Sequence, residues 1–383
     1  MDIVTTSNFH ATLLRGRVSV VFVPAEFIRQ SSWPLLNLLL YGGCGFDENE
    51  NGCVVAESHI CRSVQTEIFA VTWDRDGATL YMDPSGIDMF KRAGVEEMVT
   101  IAPQHWRAIQ IHLGPMVAEF PGVVSFLSKL LAEDHISILN MSTYDTDVIY
   151  VQVASTQMVD FAIGSTYHAA MECRSKTWRL RSPASSPSCR AAKDAESARE
   201  PVSPVSTDDT EAKLPSLEAG EALSMAPIVD SGQYLVVYPE SLVLVRLQKE
   251  ALRENAYGLT QLVLMSEAPG DSELPSESGG LSFWCYCETA EEVSLIMHER
   301  CLSAFSEESI IISPDRWRAI KLGGRSYGFD ETGVVAAMSG CSTDTQVLNV
   351  SCFASNVTFV LDHMLDESLA VLCDSLQISR VVR

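Results

Sequence analysis

The chain has 383 residues, of which 46% are hydrophobic, and this size favours two or more domains with buried cores. Its 27 basic and 50 acidic residues give a net charge of −23, which repels nucleic-acid phosphates and anionic lipid headgroups. No apolar run approaches the roughly 20 residues of a membrane span, and the start of the chain lacks a signal-peptide pattern. We therefore expect a soluble, cytoplasmic protein without nucleic-acid or membrane partners.

The first half of the chain alternates short strands with helices. Its predicted elements, in chain order, are a strand at 17–23, a helix at 33–41, a hairpin of 67–73 with 79–82, a strand at 106–112, a helix at 122–132, a hairpin of 136–144 with 148–153, and a helix at 156–163. Asp76 and Gly77 form a typical two-residue hairpin turn between alternating apolar residues. The order of strand, helix and hairpin occurs twice, so we expect two similar modules in this half.

Residues 173–231 differ in composition from the flanking sequence. They are rich in Ser, Pro, Ala and charged residues, with Ser-Pro steps at Ser182, Ser186 and Ser203, and hydrophobic periodicity is missing. Such a segment has too little apolar surface to offset the entropy lost on ordering. We predict a disordered linker, whose Ser-Pro steps are either phosphorylation sites or a consequence of composition alone.

The second half repeats the pattern of the first. Trp-Arg-Ala-Ile starts at Trp106 and again at Trp317, an offset of 211 residues, and Gly-Val-Val starts at Gly122 and Gly333 with the same offset. The other predicted elements of this half are a strand at 234–238, a helix at 244–264 and a hairpin at 283–297. A repeat of this length indicates a duplicated domain, because solenoid repeats are only about 20–50 residues long.

The pattern predicts an α+β fold of four tandem βαββαβ modules, each ferredoxin-like, with an antiparallel sheet and helices on one face. The predicted boundaries are 14–100, 104–172, 232–313 and 314–383, with the linker at 173–231. Modules of this kind commonly pair side by side, so that two sheets continue across the join and a small ligand can bind there. A purely structural join is the alternative.

The sequence contains no catalytic constellation. Serine-hydrolase, metalloprotease, P-loop and dinucleotide-binding motifs are missing, and the eight histidines do not cluster. The 11 cysteines lack zinc-ligand spacing, and a calcium-loop-like segment that starts at Asp47 has Ser58 where a bidentate Glu is required. We therefore expect a protein that is not an enzyme and that uses no metal and no cofactor.

Residues 323–334 read Gly-Gly-Arg-Ser-Tyr-Gly-Phe-Asp-Glu-Thr-Gly-Val and are typical of a ligand loop. Glycines let the backbone approach a ligand closely, and the N–H groups of the apolar helix that follows Thr332 attract a carboxylate. The acid at Glu331 is suited to hold an ammonium or guanidinium group. Together these groups match a free amino acid, and a structural turn is the alternative.

The sequence resembles the CASTOR family of cytosolic arginine sensors, which consist of four tandem ACT domains. The resemblance rests on His-Ile-Ser-Ile-Leu at 135–139, Ser-Thr-Tyr-Asp-Thr-Asp at 142–147, the strand at 317–324, and Gly-Phe-Asp-Glu at 328–331 with Gly333. It covers nearly the whole chain outside the linker. It implies that arginine binds between the second and fourth domains and controls association with GATOR, a regulatory complex upstream of the target-of-rapamycin (TOR) kinase.

The resemblance also implies a set of ligand-binding residues. Thr332 stands where vertebrate members have cysteine, and Cys352 matches a threonine of the family. Asn356 replaces the family's ligand-contacting aspartate, which removes a charge-assisted hydrogen bond worth roughly 1.5–3 kcal/mol to a cation. The full implied set is Ser137, Ile138, Gly328, Glu331, Thr332, Gly333, Val334, Cys352, Phe353 and Asn356.

The sequence thus predicts a non-enzymatic amino-acid sensor, with free arginine as the candidate ligand, that regulates TOR-pathway nutrient signalling through protein–protein interaction. The alternative is an ACT-domain regulatory or scaffold protein that binds no small molecule. The identity of the amino acid, the protein partner and the formation of a homodimer stay open at this stage.

Overall fold

The computed structural model of the chain describes residues 10–41, 66–112, 123–155, 232–266, 281–340 and 346–383. Three of the sequence predictions therefore lie outside the described residues. They are the calcium-loop-like segment that starts at Asp47, the helix at 156–163 and the linker at 173–231. No helix in the described part of the chain is long and apolar enough to cross a membrane.

The described residues form fifteen strands and six α-helices. The strands are β1 (His10–Leu13), β2 (Val18–Pro24), β3 (Phe69–Asp74), β4 (Gly77–Met82), β5 (Thr100–His112), β6 (Ile138–Ser142), β7 (Thr146–Gln152), β8 (Tyr234–Val237), β9 (Leu242–Leu247), β10 (Trp284–Glu288), β11 (Val293–His298), β12 (Ile310–Gly323), β13 (Leu348–Cys352), β14 (Ser355–Leu361) and β15 (Val381–Val382). The helices are α1 (Ser32–Tyr41), α2 (Ile87–Arg92), α3 (Val123–Glu133), α4 (Ala256–Met265), α5 (Val334–Met338) and α6 (Leu365–Leu376).

All fifteen strands belong to one hydrogen-bonded sheet. The long strands β5 and β12 connect it along the chain, because β5 pairs with both β2 and β7, and β12 pairs with both β9 and β14. Two further contacts join the halves of the chain: β3 pairs with β10, and β6 pairs with β13. Together these pairings make the path of neighbouring strands close on itself.

The two faces of the closed sheet bury different sets of side chains, because successive strand residues point in opposite directions. One face forms a core from strand residues and their adjoining loops, and it includes Trp106 and Trp317, which are 0% and 1% exposed. The opposite face is covered by helices; Trp73 of β3, for example, lies in one cluster with Leu38 of α1 and Leu259 of α4. The repeated Trp-Arg-Ala-Ile therefore marks equivalent core positions in the two halves.

The structure confirms the α+β class, the antiparallel pairing and the helices on one face. The predicted hairpin across Asp76 forms between β3 and β4, and the hairpin predicted at 283–297 forms between β10 and β11. The one exception to antiparallel pairing among the described strands is the short β15, which lies parallel to β8.

The helix predicted at 244–264 is wrong in its first part and confirmed from Ala256 onward. Leu242–Leu247 is the strand β9, which pairs with β11 on one edge and with β12 on the other, and α4 begins only at Ala256. A continuous apolar run fits a strand buried on both faces as well as a helix, and here pairing on both edges favours the strand. The strands predicted to start at Trp106 and Trp317 are confirmed, but they begin earlier, because their first residues pair with β2 and β9.

Candidate functional site

A small pocket lies beside the join between β6 and β13, under the loop that connects β12 to α5. Its lining comes from three segments: residues 137–139, residues 327–335 and residues 351–356. The cavity volume is about 30 Å³, which is enough for about two water molecules. A whole amino acid needs more room than this enclosed part of the pocket offers.

The pocket gathers most of the predicted ligand-binding residues. Seven of the ten line it, namely Ser137, Ile138, Gly328, Glu331, Val334, Cys352 and Asn356. Three neighbours along the chain are not among the lining residues, namely Thr332, Gly333 and Phe353. The implied ligand-binding set lacks the remaining lining residues, which are Leu139, Tyr327, Phe329, Val335, Ser351, Ala354 and Ser355. Leu139, Tyr327 and Phe329 lie in the segments 135–139 and 323–334 that the sequence singles out, whereas the other four are marked only by their proximity to predicted positions.

Gly333 and Phe353 shape the surroundings of the pocket. Gly333 caps the start of α5 with a φ of 82°, a left-handed conformation that glycine adopts without steric cost. The ring of Phe353 stacks on Phe22, with 4.6 Å between ring centroids, and its backbone N–H donates to Thr79 Oγ1 at 2.8 Å. These contacts fix the turn between β13 and β14 against β2 and β4.

The loop above the pocket is held from both halves of the chain. The hydroxyl of Ser137 donates to the carbonyl oxygens of Phe329 and Glu331, at 2.7 and 3.0 Å. The amide of Gln152 also donates to the Phe329 carbonyl, at 3.0 Å. From the other side, the backbone N–H of Tyr327 donates to the carbonyl of Ala354 at 2.9 Å. The loop position therefore depends on the residue before β6, the last residue of β7 and the β13–β14 turn.

Glu331 is the acidic group of the pocket. One oxygen of its carboxylate, Oε1, accepts a hydrogen bond from the backbone N–H of Gly328 at 2.8 Å. The other oxygen, Oε2, forms an ion pair with the guanidinium of Arg325, and both side chains are about one-third exposed. The Arg325 guanidinium also lies over the Tyr327 ring, 4.7 Å from its centroid.

Asn356 supplies the buried polar end of the pocket. Its side chain is 1% exposed, and Nδ2 donates to Ser351 Oγ at 3.3 Å. The carbonyl oxygen Oδ1 has no hydrogen-bond partner among the described residues. A buried acceptor without a partner costs about 1–3 kcal/mol, so an N–H group of a ligand bound here would relieve that penalty.

Polar side chains connect the two strands at the join behind the pocket. The backbone N–H of Asn140 donates to Ser351 Oγ at 2.9 Å, and the backbone N–H of Asn349 donates to Ser142 Oγ at 3.0 Å. Ser142 in turn donates to Asp147 Oδ1 at 2.6 Å. Burial raises the pKa of Asp147 to about 6, although the hydrogen bond from Ser142 acts in the opposite direction. The join thus contains a titratable group close to neutral pH.

Comparison with known proteins bears on both halves of this site. Residues 101–159 and 312–374 each match the family model of the ACT domain. The mouse protein named cytosolic arginine sensor for mTORC1 subunit 1 is 24% identical over 326 residues, which cover 83% of this chain and 86% of the mouse protein. The human protein of the same name is 25% identical over 318 residues, covering 79% and 83%. The chain thus matches the ACT domain over these two segments and resembles the cytosolic arginine sensors.

The pocket lies between the two matched ACT segments. Residues 137–139 belong to the first segment, and residues 327–335 and 351–356 belong to the second. Among solved structures, aspartate kinase from Synechocystis aligns with 97% of this chain and 56% of the kinase, at 8% identity and a TM-score of 0.28. The ACT matches confirm the predicted type of α+β fold and the resemblance expected from the sequence.

Proposed function

We propose that the chain is a cytosolic, non-enzymatic amino-acid sensor that regulates a protein complex of the TOR pathway. The names of its mouse and human relatives support this function. We also propose four ACT modules, at 14–100, 104–172, 232–313 and 314–383, with a linker at 173–231. The first and third modules are supported by their order of strand, helix and hairpin, which the two matched segments share.

The convergence of Ser137, Glu331 and Asn356 on one pocket carries this proposal. Glu331 offers a carboxylate, and Asn356 offers a buried carbonyl oxygen without a partner among the described residues. An ammonium or guanidinium group donates several N–H groups and therefore matches both acceptors. Free amino acids carry such a group.

Arginine is the candidate ligand, because the relatives are named for it and because Glu331 attracts a cation. Asn356 weakens this preference, since a neutral amide makes weaker hydrogen bonds to a guanidinium than a carboxylate does. The lost interaction corresponds to an arginine affinity about 10- to 150-fold lower than with an aspartate. A pocket of this kind tolerates neutral amino acids better than one with two acids.

A thermal-shift screen of the full chain against the twenty amino acids tests the binding part of the proposal. We expect the ligand to raise the melting temperature, since a concentration of 100 times Kd adds about 2.7 kcal/mol to stability. Glu331→Ala should abolish the shift. Glu299→Ala is the matched control, because Glu299 also pairs with an arginine, Arg316 at 2.6 Å, and does not line the pocket.

The alternative function is a scaffold whose ACT joins bind no small molecule. A wild-type protein whose melting temperature responds to none of the twenty amino acids would favour that alternative. The regulatory part has a separate test, in which the tagged chain captures TOR-pathway complexes with and without the bound amino acid. Capture that does not depend on the amino acid would contradict a sensing function.

A further inference from the structure

The ligand loop carries its own guanidinium group. Arg325 pairs with Oε2 of Glu331, while Oε1 of the same carboxylate accepts the Gly328 N–H. Both oxygens of the only acid that lines the pocket are therefore already engaged by groups of the described chain. The cation that occupies Glu331 has the same chemistry as the side chain of free arginine.

The Arg325–Glu331 pair can be exchanged. Both side chains are about one-third exposed, and ion pairs with this access to water contribute little to stability. Arg325 also does not line the pocket; it approaches Glu331 from the loop, with its guanidinium over the Tyr327 ring. Its side chain can therefore leave the carboxylate and enter solvent without uncovering the buried end of the pocket at Asn356.

We propose that Arg325 is a specificity-determining residue, a tethered competitor whose guanidinium holds Glu331 until a cationic ligand displaces it. This inference rests on the proposed function, since it requires that an amino acid binds in the pocket. A group on a short tether acts at an effective concentration in the millimolar range. The inference places the guanidinium of arginine at Glu331 and the α-ammonium group elsewhere in the pocket. Arg325 thus lowers the affinity for arginine and leaves the affinity for an amino acid with an uncharged side chain unchanged.

Arg325 and the neutral side chain of Asn356 together remove the net negative charge from the pocket. With Arg325 in place, the formal charges of Arg325, Glu331 and Asn356 sum to zero, so the pocket offers little net attraction to a cation. Displacement of Arg325 restores the negative charge of Glu331 to the ligand. Arginine therefore binds only at concentrations high enough to displace Arg325 from Glu331. An amino acid with an uncharged side chain does not have to displace Arg325.

Calorimetric titration of the full chain with arginine and with citrulline tests the inference. Citrulline has the length and shape of arginine but an uncharged urea group, so the pair of probes isolates the charge. Arg325→Gln should bind arginine about 2- to 5-fold more tightly than wild type, because the free energy of a partly exposed ion pair corresponds to this change in affinity. Its affinity for citrulline should stay the same.

Arg316→Gln is the matched control. Arg316 pairs with Glu299 at 2.6 Å in the same half of the chain, so both variants lose one positive charge and one arginine–glutamate pair. Arg316→Gln should leave both affinities unchanged. An equal gain for arginine in the two variants would overturn the inference, because the cause would then be the net charge of the protein.

Arg325→Lys provides a second variant with the positive charge retained. A lysine at position 325 keeps competing for Glu331. The arginine affinity of Arg325→Lys should therefore stay closer to that of wild type than the affinity of Arg325→Gln does. Arginine binding that is unchanged or weaker in Arg325→Gln, or an equal gain for citrulline, would overturn the competitor and leave the proposed function intact. Failure of wild type and all variants to bind any amino acid would overturn both.

Discussion

Replacement of Lys321 by Met tests the ion pair that joins the second half of the chain to the first half. Nζ of Lys321 lies 2.6 Å from Asp74 Oδ2 and 2.5 Å from Asp76 Oδ2, and the side chains of Lys321 and Asp74 are 9% and 4% exposed. Burial alone would lower the pKa of Lys321, but the neighbouring groups, Asp74 foremost and Asp76 among them, together outweigh burial, so the pKa lies well above its usual value. The lysine is therefore charged at neutral pH, and it links β12 to the β3–β4 turn.

The expected loss in the free energy of unfolding follows from the carboxylate that Lys321→Met leaves without a partner. Met fills much of the volume of the lysine stem but leaves the Asp74 carboxylate buried without its counter-charge. Removal of one partner of a buried pair costs about 3–5 kcal/mol. Oδ1 of Asp74 still accepts the backbone N–H of Asp76 at 2.8 Å, so we expect the lower end of this range, about 3 kcal/mol in the free energy of unfolding at pH 7.

Urea denaturation of the full chain measures this loss. Lys91→Met is the matched control, because Lys91 pairs with Asp88 at 3.3 Å on the surface, where the side chains are 50% and 59% exposed, and should cost less than about 1 kcal/mol. Asp74→Asn added to Lys321→Met should recover part of the loss, since it removes the stranded charge. Equal losses in the two lysine variants would refute the reasoning.

Three further predictions concern the surroundings of the pocket. The pKa of Asp147 is raised to about 6 in the folded state against about 4 when unfolded, so the folded state binds more protons between these values. The contribution of Asp147 to stability should therefore fall by about 1–3 kcal/mol as the pH rises from 4 to 6. The free energy of unfolding of wild type minus that of Asp147→Asn, from urea denaturation, should fall by the same amount; a constant difference would contradict this. Gly333→Ala should cost about 1–2 kcal/mol in thermal unfolding because of its φ of 82°, and should also reduce the ligand-induced shift. Gly94→Ala, at a φ of 70° and outside the pocket lining, should cost as much without the second effect; a reduced shift in both would argue against a local role. Ser137→Ala should lose about 1 kcal/mol by removing the hydroxyl that bonds two loop carbonyls, although Gln152 still donates to the carbonyl of Phe329; a loss near zero in urea denaturation would mean that the loop is held elsewhere.

The parts of the fold that depend on local pattern could be predicted from the sequence. The hairpin at Asp76 is such a part, because the turn residues and the alternation around them lie within a few positions. The first part of the helix predicted at 244–264 failed because an apolar run does not distinguish a buried strand from a helix; the partners of β9 decide its structure.

The closed sheet and the contacts of the pocket could not be predicted in this way. The join of β6 and β13 pairs Met141 with Val350, and no local pattern specifies a contact between residues so far apart. The resemblance to arginine sensors supplied half of the lining positions instead. The ion pair of Arg325 with Glu331 depends on the conformation of a glycine-rich loop, which the sequence alone does not fix.

The most direct test of the pocket is calorimetric titration of arginine into the wild-type protein and into Asn356→Asp. Position 356 is 1% exposed and presents an acceptor without a partner among the described residues, so an aspartate there would meet a bound cation at short range. We expect arginine to bind Asn356→Asp about 10- to 150-fold more tightly, and citrulline to bind no more tightly than before. Equal arginine affinity in the two proteins would contradict the claim that position 356 faces the ligand.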